Sequence, residues 1–152
     1  MTETKTRKLI KDTVSEVLQK LEITAEIKLE DKDDTLWVTI ETEEPGILIG
    51  HHGRNLEALQ TLISQMIFKK LQTWAHLILT VGDYRLKREE QIKELARNTA
   101  EKVVTTQMPH ALNHLTAAER RTVHIELSEH PQVMTASEGE GKDRMLIVKP
   151  KT

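Results

Sequence analysis

Two short stretches of this sequence carry residues able to hold a phosphate group. The first is Gly50-His51-His52-Gly53, followed by Arg54. Two glycines three apart let the backbone turn sharply and approach a partner with no Cβ in the way. Where a helix follows such a loop, its first N–H groups lack intrahelical partners and carry partial positive charge, which suits a phosphate oxygen. Arg54 adds a full charge at that place. A tight inter-helix turn would use the same glycines, so the motif alone leaves both readings open. The two middle positions are histidines, whose side chain gains its charge as pH falls toward 6, so the grip is expected to tighten in mild acid.

The second stretch is Glu119-Arg120-Arg121-Thr122-Val123-His124-Ile125-Glu126-Leu127. At about 100° per residue, a helix here gathers Arg120, Arg121 and His124 into one arc and turns Glu119 and Glu126 to the opposite side. Val123 and Leu127 border the arc on one edge, and Ala118 and Ile125 on the other. Both edges are expected to anchor, leaving Arg120 and His124, one turn apart, as a single basic surface. Lys142 and Arg144 are weaker candidates for the same surface. An ordinary solvated helix face is the plainer alternative.

Other chemistry finds little support. The chain has no cysteine, which excludes disulfides, thiolate metal sites and a thiol nucleophile. His110 and His114 are four apart, but Pro109 and Asn113 make that segment irregular, and no third ligand stands at a recognisable spacing. No His-Glu-x-x-His, nucleophile-elbow, Walker or dinucleotide motif occurs, so no enzyme, cofactor or metal is expected. Twenty-two basic residues face 24 acidic ones, for a net charge of -2. Phosphate affinity must then come from local clustering. No run approaches ~18 apolar residues, so no membrane partner is expected and the chain reads as cytoplasmic.

The elements that must position these groups follow from periodicity. Ile10, Val14, Val17, Leu18 and Leu21 predict a helix over about 5–21. Ala25, Ile27 and Leu29, then Leu36, Val38 and Ile40, alternate on either side of an Asp31–Asp34 turn, a hairpin. After Pro45-Gly46 comes a short apolar turn, Ile47–Ile49, then the glycine loop. Leu56, Leu59, Leu62, Ile63, Met66 and Ile67 share one face of a helix from Arg54 to Leu71. Lys69 and Lys70, at its far end, read as soluble surface. Leu77, Leu79 and Val81 make a third strand. Gly82-Asp83 marks the boundary between domains 1–82 and 83–152. A charged helix from Tyr84 to Gln107 buries Ile92, Leu95, Ala96, Thr99 and Val103. Thr116 and Glu119 form a capping box for a helix to about Ser128. Strands near 133–136 and 145–148 close the chain.

In this context the loop resembles that of the KH domain, whose GxxG clamps the backbone of about four single-stranded nucleotides. Two strands before the loop and one after it match the type II arrangement. Arg120-x-x-x-His124 resembles the signature of the R-three-H domain, named for that spacing. The Ser137-Glu138-Gly139-Glu140-Gly141 hairpin, with Arg144 and a strand ending at Pro150, is similar to the close of the Jag (SpoIIIJ-associated) family, in which a KH domain directly precedes an R-three-H domain. The N-terminal domain and linker that Jag proteins usually carry are absent from this sequence. The resemblance implies an α+β chain of two small domains: a type II-like KH domain with a three-stranded sheet packed by helices, then an R-three-H domain with a small sheet packed by helices. It implies a single-stranded RNA partner, with single-stranded DNA as a possible substitute, and a bacterial post-transcriptional regulator or RNA chaperone. Gly50, His51, His52, Gly53, Arg54, Arg120, Arg121, His124, Lys142 and Arg144 would be the contacts. With no aromatic expected near either site, base stacking should contribute little and sequence preference should be loose. The alternative is a protein-interaction adapter that forms a homodimer, or a heterodimer with another small KH protein, through the KH part.

Overall fold

The structure, a computed structural model, describes residues 3–152 and divides into two compact units, 1–85 and 86–152. The first begins with α1 (Glu3–Lys20), which buries Ile10, Val14, Val17 and Leu18. β1 (Glu26–Lys32) and β2 (Thr35–Glu41) pair antiparallel, and Lys32 faces Thr35 across a turn. That turn is narrower than the Asp31–Asp34 expected from sequence. Only Asp33 and Asp34 lie in it, both at positive φ, the backbone that a two-residue hairpin with native twist requires. α2 (Pro45–Ile49) starts on its proline, which lacks an N–H where a helix has no acceptor to offer it. A 3-10 turn (His51–Gly53) leads into α3 (Arg54–Leu71), and β3 (Leu77–Val81) then pairs parallel with β2. The strand order is β1-β2-β3, so β3 is an edge.

The core of this unit lies between α1, α3 and one sheet face, where Val38, Ile40, Ile63, Ile67 and Leu79 are fully buried. Lys70 is more than soluble surface. Its ammonium donates to Thr13 Oγ1 (3.1 Å) and to Glu16 Oε2 (3.4 Å), tying α3 to α1. Hydrogen bonds from Lys70 and then Lys20 hold the Glu16 carboxyl below its ordinary range.

The second unit is built on α4 (Tyr84–Thr106), whose first two residues belong to the first unit. Ile92, Ala96, Thr99, Ala100 and Val103 face its core. Leu95, expected on that face, is 38% exposed, and Ala100 takes the buried position instead. β4 (His110–Leu112), α5 (Ala117–Leu127), β5 (Val133–Glu138) and β6 (Met145–Pro150) complete it. The sheet order is β4-β6-β5, antiparallel throughout. The strand β4 falls in the segment read from sequence as irregular. It holds its place by pairing Leu112 with Leu146 and His110 with Val148. His110 therefore lies on a strand, and His114 in a left-handed turn with φ 59°, so the two do not share a helix face.

Among the described residues, no helix is long and apolar enough to cross a membrane. None of their His, Asp and Glu side chains gather in threes as metal ligands would.

Candidate nucleic-acid interface

The glycine loop is shaped by backbone conformations that side chains resist. Gly50 sits at φ 69°, ψ -173°, a region open almost only to glycine. A Cβ there would stand 2.5 Å from Asn55 Cγ. Asn55 occupies that space because its Nδ2 donates to the Ile47 carbonyl (2.9 Å), latching the start of α3 onto α2. His52 is left-handed at φ 54°, and so is Gly53 at φ 78°. The backbone reversal exposes the two imidazoles, which stack on each other with centroids 3.9 Å apart and planes inclined by 21°. Arg54 is exposed on the first turn of α3. The amide of Gly50 is committed inside the loop, donating to Gly46 O (2.9 Å), so fewer loop donors face outward than the sequence suggests.

The structure corrects the expectation that no aromatic lies near this loop. Gly53 is buried, and a Cβ on it would meet the Tyr84 hydroxyl at 2.8 Å. The ring of Tyr84 therefore stands directly against the loop. Next to it, Arg85 Nε donates to Leu79 O (2.6 Å) and its Nη2 to Gln60 Oε1 (2.7 Å). Burial lowers the Arg85 pKa, opposed by the nearby Glu57. Neither Tyr84, Arg85 nor Gln60 carries a sequence signal. The contacts of Gln60 with Arg85 and of Gly53 with Tyr84 join positions about 25–30 residues apart, and the local one, Arg85 to Leu79, exists only once β3 is in place.

In the second unit, a groove of about 530 Å³ opens between α5 and the β5–β6 sheet, lined by Arg120, Arg121, His124, Thr135, Ser137 and Arg144 among others. None of its lining residues is Asp or Glu. Arg120 is fixed by donating to Leu115 O (2.8 Å), and His124 Nδ1 lies 2.6 Å from Thr135 Oγ1. That bond orients the imidazole and leaves Nε2 as its other polar atom. Arg144 joins the groove from the position just before β6. Lys142, in the 3-10 turn before it, is exposed and does not line the groove. Thr135 and Ser137, two apart on β5, are contributions that sequence reasoning missed. Period-2 spacing puts them on one strand face, but nothing in the sequence says which face meets α5.

The helix presents this arc because its carboxylates are held elsewhere. Glu119 Oε2 accepts from the Thr116 amide (3.0 Å) and Thr116 Oγ1 from the Glu119 amide (3.2 Å), the capping box read from sequence. Glu119 Oε1 also accepts from Arg88 Nε (2.7 Å), and Glu126 from Arg97 (2.8 Å). Hydrogen bonds from Arg97 to Glu90 and then to Glu126 raise the arginine's pKa. The expected double anchoring fails on one side: Val123 and Leu127 are buried, but Ala118 is exposed and Ile125 is 61% exposed. Only the Val123–Leu127 edge faces packed neighbours. A further groove, in the first unit, has the opposite sign, with Glu26, Glu41, Glu43 and Glu44 in its lining, and is no seat for phosphate.

Residues 7–78 match the KH domain of KhpA and KhpB, and residues 90–150 match the R-three-H domain. The chain is 32% identical over 137 residues to the RNA-binding protein KhpB of Lactiplantibacillus plantarum, covering 90% of this chain and 42% of that protein. To KhpB of Clostridium symbiosum it is 34% identical over 111 residues, 73% of this chain and 50% of that one. To KhpB of Bacillus subtilis the identity is 30% over 129 residues, 84% and 62%. The chain thus spans about half the length of the curated relatives it matches.

Proposed function

The chain belongs to the KhpB (Jag) family, joining a KH domain to an R-three-H domain, and from this we propose that it binds single-stranded RNA at two places. It acts as a binding protein and not as an enzyme. In residues 1–82, the KH part, the loop around Gly50–Gly53 holds the strand's phosphates, helped by Arg54 and by His51 and His52 when protonated. Ile47, 59% exposed, and the half-buried Ile49 two residues on offer neighbouring bases an apolar rest. In residues 83–152, the R-three-H part, Arg120, Arg121, His124 and Arg144 take a second stretch of phosphates. Lys142 adds charge from outside the groove.

The observation that carries this reading is the segregation of charge. A chain of net charge -2 nonetheless has a groove with three arginines and a histidine in its lining and no carboxylate. Binding through phosphates should weaken steeply with salt and should accept single-stranded DNA as a competitor. The cellular role we assign is post-transcriptional regulation or RNA chaperoning.

The test is RNA affinity across a salt series for the wild type, Gly53→Asp and Arg120→Ala/His124→Ala. Both variants should bind more weakly, and the second should show a shallower salt slope. If neither binds more weakly, the contacts lie elsewhere. Light scattering on the same samples checks the adapter reading, which requires a defined dimer and no RNA binding at moderate salt.

A further inference from the structure

β3 pairs with β2 on one side only. The free side of such an edge presents N–H and C=O groups to any partner with a matching donor and acceptor. Here both main-chain groups of Leu79 are already engaged by side chains. Its N–H donates to Gln60 Oε1 (3.0 Å), and its carbonyl accepts from Arg85 Nε (2.6 Å). Arg85 Nη2 donates to the same Gln60 oxygen (2.7 Å), so the three groups close a ring of hydrogen bonds. Gln60 reaches in from α3, two turns beyond the glycine loop, and Arg85 from the first turn of α4.

The ring stands beside the phosphate loop. Tyr84, the chain neighbour of Arg85, is the residue against Gly53. Tyr84 and Arg85 thus link the loop to the Leu79 edge, which puts that edge in reach of the bases of a strand whose phosphates rest on the loop. The pairing edge of a base sets a donor beside an acceptor, as Leu79 does, and two such bonds would read the base. With Gln60 and Arg85 in place, the Leu79 N–H is spent and its carbonyl already carries the guanidinium on one lone pair, so the donor–acceptor pair is no longer open to a base.

We propose that Gln60 and Arg85 cap the β3 edge at Leu79 against bases, so that the first unit, to which Arg85 belongs, grips a strand by its backbone with little regard to sequence. The cap makes the two side chains determinants of specificity, through what they withhold. The proposal rests on RNA binding at the loop and gives that reading a selectivity.

The experiment measures affinities of the full chain for labelled homopolymers of adenine, cytosine and uracil of one length. A base read by two bonds is discriminated by about fivefold or more. The wild type should bind all three within that factor, and Gln60→Leu/Arg85→Met should spread them beyond it. Loss of the Arg85 charge weakens all three alike, so the spread is the readout. A wild type already spread beyond about fivefold, or a folded double variant that stays within it, overturns the proposal. If the double variant does not fold, amide hydrogen exchange at Leu79 in the wild type decides. Protection that is the same with and without each homopolymer supports the cap, and protection that changes with one of them overturns it. A wild type that binds none of the three contradicts RNA binding itself, a different failure.

Discussion

Replacing Gly50 by alanine should destabilise the first unit by roughly 2–4 kcal/mol, and the structure supplies both parts of that figure. The backbone at φ 69°, ψ -173° is strained by about 1–3 kcal/mol for any residue with a Cβ. The added methyl would also stand 2.5 Å from Asn55 Cγ, so Asn55 must swing away and lose its bond to Ile47 O, about 0.5–1.5 kcal/mol. Gly53→Ala is the internal control. Its φ 78°, ψ 13° is ordinary left-handed helix, at about 1–2 kcal/mol, and its new contact is the tip of the Tyr84 side chain. Urea unfolding followed by tryptophan emission isolates the effect, because Trp37 and Trp74 both lie in the first unit. Asn55→Ala alone should lose only the latch, and adding it to Gly50→Ala should change little further, since the latch is already broken. A loss below about 1 kcal/mol for Gly50→Ala, or one no larger than for Gly53→Ala, would refute the assignment of strain to Gly50.

Three further outcomes are expected. Thr116→Ala should lower the stability of the second unit by about 1 kcal/mol, and Glu119→Ala by more, roughly 2–3 kcal/mol, because it also leaves the largely buried Arg88 without its partner. Thermal unfolding followed by helix content orders the two, and equal losses would mean that the Arg88 pair contributes nothing. RNA affinity should rise as pH falls from about 8 to 6, and His51→Gln/His52→Gln should remove most of that rise; an unchanged pH profile in the double variant would remove the histidines from the contact. Because the folded state lowers the Glu16 pKa, Glu16 contributes stability above its ordinary value of 4.5 and loses it as pH falls through the folded value. Lys70→Met should therefore narrow the difference between urea midpoints at neutral and strongly acid pH, and a difference as wide as in the wild type would contradict the coupling.

What was legible in the sequence was whatever depends on near neighbours. The helix from Arg54 to Leu71 shows in its apolar spacing, and the Thr116–Glu119 box in two residues three apart, because one turn of helix contains the whole interaction. β4 was not legible. Three residues between Pro109 and Asn113 have no periodicity to detect, and only the partner strand β6 gives them structure. Ile125 misled for a related reason: a helix projection places a residue at the margin of an arc but does not say on which margin the rest of the protein sits. The edge at Leu79 lies furthest from sequence reasoning. A glutamine and an arginine 25 residues apart acquire a joint role only after the sheet has left one strand unpaired.

The arginines that hold Glu119 and Glu126 bear on how fast a partner arrives. A chain of net charge -2 exerts no long-range pull on an anionic strand, and beyond about 8–10 Å salt screens what remains. Arg88 and Arg97 neutralise the carboxylates on the back of α5, so the positive charge of the groove is not cancelled from behind. For the RNA partner proposed above, encounter is then expected to be little steered, with a rate in the ordinary diffusive range of about 10⁵–10⁶ M⁻¹s⁻¹. Selection among strands is left to how long each one stays.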